Sequence, residues 1–467
     1  MRRHLLSYSV LLVISVAGLL VLLGVGAKLQ PPPAVALEAA ASTDLAAGLR
    51  ETLADPLSRL LLQIVVIVVA ARLAGMLFRR MGQPAVIGEM VAGILLGPSL
   101  LGLLFPDALG FLFPASSLGT LKLFSQVGVI LFMFLVGMDL DLRHLREKAH
   151  AAVMVSHASI MLPMLLGVGL ALFLYASQAP AGVAFSSFAL FMGIAMSITA
   201  FPVLARILEE RGLSKTPLGT TSIACAAVDD VTAWCLLAVV VAIARSNGIA
   251  PALLTIGLAL AFVGFMLLIV RPWVDRTLTN TKLNSKTIMA GTVVFAFAAA
   301  WITEVIGIHA LFGAFLAGVV APSQKAFRAG LRERLEALVS VLLLPLFFAF
   351  TGLRTQIGLL DDAASWLICA AVVAIAIVGK LGGSTLAARW TGMSWRDSFS
   401  IGALMNTRGL MELIVLNIGY DLGILSQKIF AVMVVMALGT TFMTGPLLDL
   451  VEARKRKEAL EESMISI

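Results

Sequence analysis

Charge is scarce in this chain of 467 residues: Asp, Glu, Lys and Arg together make 13%, about half the share usual in a soluble globular protein, while 60% of the residues are hydrophobic. With a mean hydropathy of +1.00, a water-soluble globule is excluded and an integral membrane protein is left. Cysteine is also scarce. Cys225, Cys235 and Cys369 fall inside apolar runs with no metal-ligand spacing, so they read as small core residues. The sequence lacks a nucleophile elbow, a phosphate-cradling glycine loop, a zinc spacing and a haem-ligand pattern, which removes the residues an enzyme would need; no cofactor is expected. The formal charge of +7 would suit a nucleic-acid partner only if the basic residues clustered with aromatics on a soluble face. They lie instead in short loops between apolar runs, so the expected surroundings are a lipid bilayer and not nucleic acid.

What is present is a succession of apolar runs. Residues 1–27 begin with Arg2 and Arg3 and read as a signal peptide or an extra N-terminal span, followed by a proline- and alanine-rich linker over 28–56. Thirteen segments of spanning or near-spanning length follow, at about 57–78, 84–104, 119–138, 151–176, 184–208, 217–245, 250–271, 287–304, 307–321, 336–352, 364–389, 398–419 and 427–450. Lysine and arginine collect on the cytoplasmic side of membranes. With Arg79 and Arg80 placed inside, strict alternation also puts 143–148, 206–215, 271–286, 325–334, 389–396 and the tail at 454–457 inside, and most of the 34 basic residues fall there. The expected fold is therefore all-α and polytopic, with 57–450 as the transmembrane domain and 451–467 as a short cytoplasmic tail. Six spans (57–245), a linking span (250–271) and six more (287–450) imply two repeats inserted with opposite orientation. Secondary transporters often use that plan, with the binding site near the bilayer midplane.

Asp229 and Asp230 stand side by side near the middle of the apolar run 217–245. A charged residue at the centre of a spanning helix costs about 2.5 to 3.5 kcal/mol on insertion scales, so an ionisable residue there marks function. The fifth span of the first repeat carries Thr199, Ala200, Phe201 and Pro202, and the fifth of the second carries Asn406, Thr407, Arg408 and Gly409. Proline has no N–H and disfavours helix before it, so Phe201 and its neighbours are expected to be unwound. Two interrupted helices at equivalent places point to a binding site whose freed carbonyls and half-helix ends face a cation. Lys380, deep in 364–389, needs a counter-charge; Asp229, Asp230, Glu304 and Glu412 lie at comparable depth, and Asp229 or Asp230 is the expected partner. Adjacent helical residues project about 100° apart, so one aspartate can hold the lysine while the other faces a cavity. Arg408 and Glu412, spaced i and i+4, can neutralise each other. Glu89 and His309 are further intramembrane candidates. His157 reads as a packing residue, and Gly93, Gly97, Gly313 and Gly318 as points of close helix contact.

The stretches GQPAVIGEMVAGILLGPSLLG, VGVILFMFLVGMDLDL, SITAFPVLARIL, AAVDDVTAW, GIHALFGAFLAGV, PLFFAFTGLRTQIG and MNTRGLMELIVLNIG resemble, in order, the second cation:proton antiporter family with its sodium/hydrogen exchanger domain. The resemblance covers about 57–450. It implies thirteen spans, a dimerisation domain and a core in which two broken helices cross beside the aspartate helix, an elevator-like alternating access, and a homodimer. It also implies that Asp230 carries Na+ or K+ and the proton, that Asp229 partners the lysine, and that no enzymatic step is involved. Keeping both acids leans toward electrogenic exchange with sodium; SITAFPVLARIL and MNTRGLMELIVLNIG also resemble the plant cation/proton exchangers, which use potassium. The expected location is the inner membrane of a bacterium. A cation channel or potassium efflux pathway on the same fold is the alternative, and an organic-anion symporter is disfavoured by the paired acids.

Overall fold

Inside a bilayer every backbone N–H and C=O must find its partner within the protein, so long apolar runs become helices. The computed structural model describes residues 55–139, 149–245, 249–279, 285–322 and 324–465, together with residues 17 and 52. Nearly all of segment 1–27 and of linker 28–56 lies outside the described residues, as does the loop 143–148. Among the described residues there are helices and turns and no strand. Eleven helices are long and apolar enough to cross a membrane, and a pair bent by 43°, Trp395–Met405 with Leu410–Asp421, makes as many as twelve. Of the thirteen expected segments, 307–321 falls short. Its helix, Ala310–Val319, has 10 residues and climbs only about 15 Å of a core roughly 30 Å thick.

In chain order the helices used below are α1 (Pro56–Arg80), α2 (Ala85–Leu96), α3 (Ala115–Asp139), α4 (Ala149–Gln178), α5 (Phe185–Ser197), α6 (Phe201–Glu210), α7 (Pro217–Arg245), α8 (Ile249–Phe265), α9 (Ser285–Ile306), α10 (Ala310–Val319), α11 (Lys325–Leu338), α12 (Leu344–Arg354), α13 (Ala363–Ile377), α14 (Gly383–Trp390), α15 (Trp395–Met405), α16 (Leu410–Asp421) and α17 (Gln427–Ile465). Asp362 starts α13 by accepting the Ser365 N–H at 2.9 Å, and the Ser365 hydroxyl and N–H hold its carboxyl below the ordinary aspartate value. The last helix, α17, continues well past residue 450, so most of the segment read as a tail is helical beyond the apolar span, which ends at Val451.

Two sets of helices emerge. In one, α1 packs on α2, α2 and α3 on α12, and α3 on α10; in the other, α4 packs against α5, α7 and α14, and α15 against α7, α14 and α17. Glycine permits the close approaches. A Cβ on Gly352 would lie 2.0 Å from the Gly93 carbonyl carbon, one on Gly93 would lie 2.3 Å from the Phe348 oxygen, and one on Gly318 would lie 2.1 Å from the Phe134 oxygen. A Cβ on Gly97 would lie 2.7 Å from the Gly352 oxygen, and one on Gly313 would lie 2.1 Å from the Ala299 oxygen. Because backbone cannot retreat as a flexible side chain can, Gly352→Leu is expected to destabilise the protein by about 3 kcal/mol. The comparison is Gly291→Leu, whose position meets nothing within 4 Å. Thermal unfolding in detergent should separate the two variants; equal melting temperatures would refute the contact.

Candidate ion-binding site

The site is built where two helices stop. Between α5 and α6, residues Ile198, Thr199 and Ala200 leave the helix; between α15 and α16, Asn406 to Gly409 do. Phe201 and Pro202, expected to be unwound, are instead the first residues of α6. A first helical turn needs no N–H from proline, so the break moves upstream of it. Gly409 closes the second break at φ 157° and ψ −128°, a region that residues with a Cβ rarely enter. The breaks satisfy each other. Ala200 N–H donates to the Thr407 oxygen at 2.9 Å, and the Thr199 hydroxyl donates to the Met405 oxygen at 3.0 Å. The freed backbone thus finds partners inside protein, as a membrane requires.

The acid pair on α7 lies against this crossing, and its two members differ. Asp229 is fully buried and fully partnered: Oδ1 accepts the Ser159 hydroxyl at 2.8 Å, and Oδ2 accepts the Thr199 N–H at 3.0 Å and Lys380 Nζ at 3.1 Å. Lys380 also donates to the Ser159 and Ser197 carbonyls. It sits in a π turn, Val378–Gly382, between α13 and α14, a widened turn of the kind that recurs at functional sites. Asp230, one residue on and 2% exposed, has neither carboxylate oxygen hydrogen-bonded among the described residues. An isolated buried carboxylate is costly until a positive charge reaches it. Lys380 is engaged by its neighbour. The amide of Asn406, fully buried within the second break, likewise has no partner at either end.

Arg408 is also fully buried. It pairs with Glu412 at 3.2 Å and donates to the Ala195 and Met196 carbonyls at 3.0 and 2.6 Å. Those carbonyls belong to the last turn of α5, whose negative end a guanidinium suits. The arginine of one broken helix therefore caps the other.

The profile of the family described as sodium/hydrogen exchanger, transmembrane, matches residues 65–451. The chain belongs to that family. The chain is 45% identical over 392 residues to the Na(+)/H(+) antiporter NhaS4 of Synechocystis sp., which covers 83% of this chain and 96% of that protein. It is 32% identical over 422 residues to K(+)/H(+) antiporter 1 of Saccharomyces cerevisiae, covering 88% of this chain but spanning about half, 48%, of the yeast protein. Among solved structures it superposes on the sodium proton antiporter MjNhaP1 of Methanocaldococcus jannaschii with a TM-score of 0.62 and 11% identity, over 84% of this chain and 96% of that one. The last likeness speaks to the fold alone. The sodium/hydrogen exchanger family consists of transporters and not enzymes, and this member is a multi-pass membrane protein.

In this exchanger-family chain Glu89 and His309 are placed apart from the acid pair. Glu89 is buried on α2 in the field of Arg72, Arg206 and Arg79. His309 starts α10, its Nδ1 accepting the Leu311 N–H at 3.3 Å, while Glu304 accepts the Ala310 N–H at 2.9 Å and pairs with Arg245 at 3.3 Å. Both line a cavity of about 450 Å³. His157 is exposed on α4 and bonds its own helix at Val153. Sequence reasoning missed Ser159 and Ser197, which orient the Asp229–Lys380 pair. The signal was available: small hydroxyl residues recurring in the otherwise apolar MVSHASIM and MSITAF stretches, one helix away from a buried charge.

Proposed function

We propose that the protein is a secondary antiporter that exchanges a monovalent cation, Na+ or K+, for protons at Asp230. The observation that carries this reading is the unpartnered, buried Asp230 beside an Asp229 already satisfied by Lys380, Ser159 and Thr199. A carboxylate without a protein partner has two ways to be neutralised, a proton or a cation, and competition between them is exchange. Its oxygens, with the non-helical backbone carbonyls of the breaks, are hard ligands of the kind alkali cations take. The family and the names of NhaS4 and the yeast relative support cation/proton exchange.

In the same proposal, two oppositely inserted six-helix repeats work by an elevator-like alternating access. The chain assembles as a homodimer in a bacterial inner membrane, with its C-terminus in the cytoplasm. Retention of Asp229 opposite Lys380 favours electrogenic exchange.

Purified protein in liposomes should acidify or alkalinise the lumen in response to a Na+ or K+ gradient. The apparent cation affinity should fall up to tenfold for each unit that pH is lowered, because protons win Asp230 as their concentration rises. Clamping the membrane voltage with valinomycin reads the stoichiometry. Currents far above carrier turnover, with no coupled proton movement, would show a channel instead. Proton flux indifferent to Na+, K+ and Li+ gradients would end the proposal.

A further inference from the structure

At the end of the bundle opposite the Arg79–Arg80 turn, the two helix sets are fastened by three charges. Asp421, the last residue of α16, accepts Lys122 of α3 at 2.9 Å on Oδ2 and Arg354, the last residue of α12, at 2.7 Å on Oδ1. Arg354 also donates to Asn417 Oδ1 at 3.0 Å, and the Asn417 amide nitrogen reaches the Thr351 hydroxyl at 2.8 Å, tying α16 to α12 one turn deeper. The guanidinium lies 4.1 Å over the Phe350 ring and 5.2 Å over that of Tyr420, which fixes it between the two helices. At the other end the ion pair Arg211–Asp449, at 2.7 Å, joins the residue after α6 to α17, within a single set.

A carboxylate on the last residue of a helix faces that helix's own negative end, which disfavours it. Asp421 keeps its place because two cations of the other set offset both charges. The same cations would find no such partner if α16 moved away. The three side chains are 16–33% exposed, so each bond is worth little enough to break thermally, yet their removal shifts an equilibrium between docked and parted helices. Ile414, two turns down α16, lines the cavity of about 450 Å³ together with Lys122, Asn417 and Asp421, and is only 1% exposed while the helices are docked.

We propose that Asp421, Lys122 and Arg354 form a latch that holds the second broken helix against α3 and α12, and that it must release before Asp230 is reached from this end. The inference rests on the alternating-access reading. In proteins with the three native cysteines replaced and Ile414→Cys introduced, a membrane-impermeant maleimide applied from the side opposite the Arg79–Arg80 turn should label position 414 about fivefold faster when Asp421→Asn or Lys122→Gln is added. The double variant should label no faster than the faster single, since both open one latch. Lys122 is at the surface, so Lys122→Gln remains informative if Asp421→Asn lowers expression. Labelling unchanged in both, or additive increases from two independent loosenings, would overturn the latch. Asp230→Asn in the same background separates the two ideas. It should stop exchange and leave the labelling difference intact; if exchange survives it, the site assignment fails whatever the latch does.

Discussion

Asp230→Asn is expected to lower cation/proton exchange by about a thousandfold while leaving the protein at least as stable as the parent. The two effects have one cause. A monovalent cation about 4 Å from a carboxylate is worth about 4 kcal/mol at an effective dielectric of ~20, close to three decades of affinity, and the neutral amide forfeits that attraction together with the proton site. Among the described residues neither Asp230 oxygen has a hydrogen-bond partner, so the substitution breaks no hydrogen bond there and removes a buried charge that costs stability. Flux in liposomes and a melting curve in detergent check the two halves. Exchange retained by the variant disproves the role of Asp230, and a melting temperature several degrees lower would mean that the carboxylate has a partner after all.

Lys380→Met should behave in the opposite way, destabilising the fold by about 3 to 5 kcal/mol. Both members of the Lys380–Asp229 pair are fully buried, and deleting one leaves the other as an uncompensated charge. Replacing both, as in Lys380→Met with Asp229→Leu, should cost much less than the sum of the single changes, because an apolar pair of similar volume needs no counter-charge. The residual cost should reflect the Thr199 N–H and Ser159 hydroxyl that lose their acceptor. Thermal unfolding of the two single variants and the double variant measures the coupling. Additive losses would show that the ion pair is not the unit that holds α7 to the π turn. Exchange by the double variant, if any, would report what Asp230 does without the neighbouring pair.

These expectations draw on different depths of information. The helices themselves were legible in the chain, because in a membrane each run of apolar residues must close its own hydrogen bonds and can do so only locally. The places where helices break were nearly legible: Pro202 and Gly409 are local punctuation, and the error at the first break was a shift of a few residues to 198–200. The helix in 307–321 is shorter than its apolar run, because hydropathy does not report that Gly307 and the cap at His309 start the helix late.

The division of labour within the site belonged to another level. Position along the chain left Asp229 and Asp230 equal candidates for Lys380, some 150 residues away, with only the family resemblance favouring Asp229, and Arg408 had only Glu412 as a visible partner. The choice depends on the rotational phase of α7 against α4 and the broken helices, since about 100° separates adjacent side chains. Packing set that phase, so that Ser159 and the Thr199 N–H meet Asp229 while, among the described residues, no hydrogen-bonding group meets Asp230. Packing likewise brought Arg408 to the carbonyl end of α5 and Asp421 between Lys122 and Arg354. Sequence by itself determined the membrane location, the helices and the presence of costly charges, because each follows from neighbours along the chain. Which charge is held and which is left without a hydrogen-bond partner among the described residues was decided only in the tertiary structure, where partners remote in the chain meet.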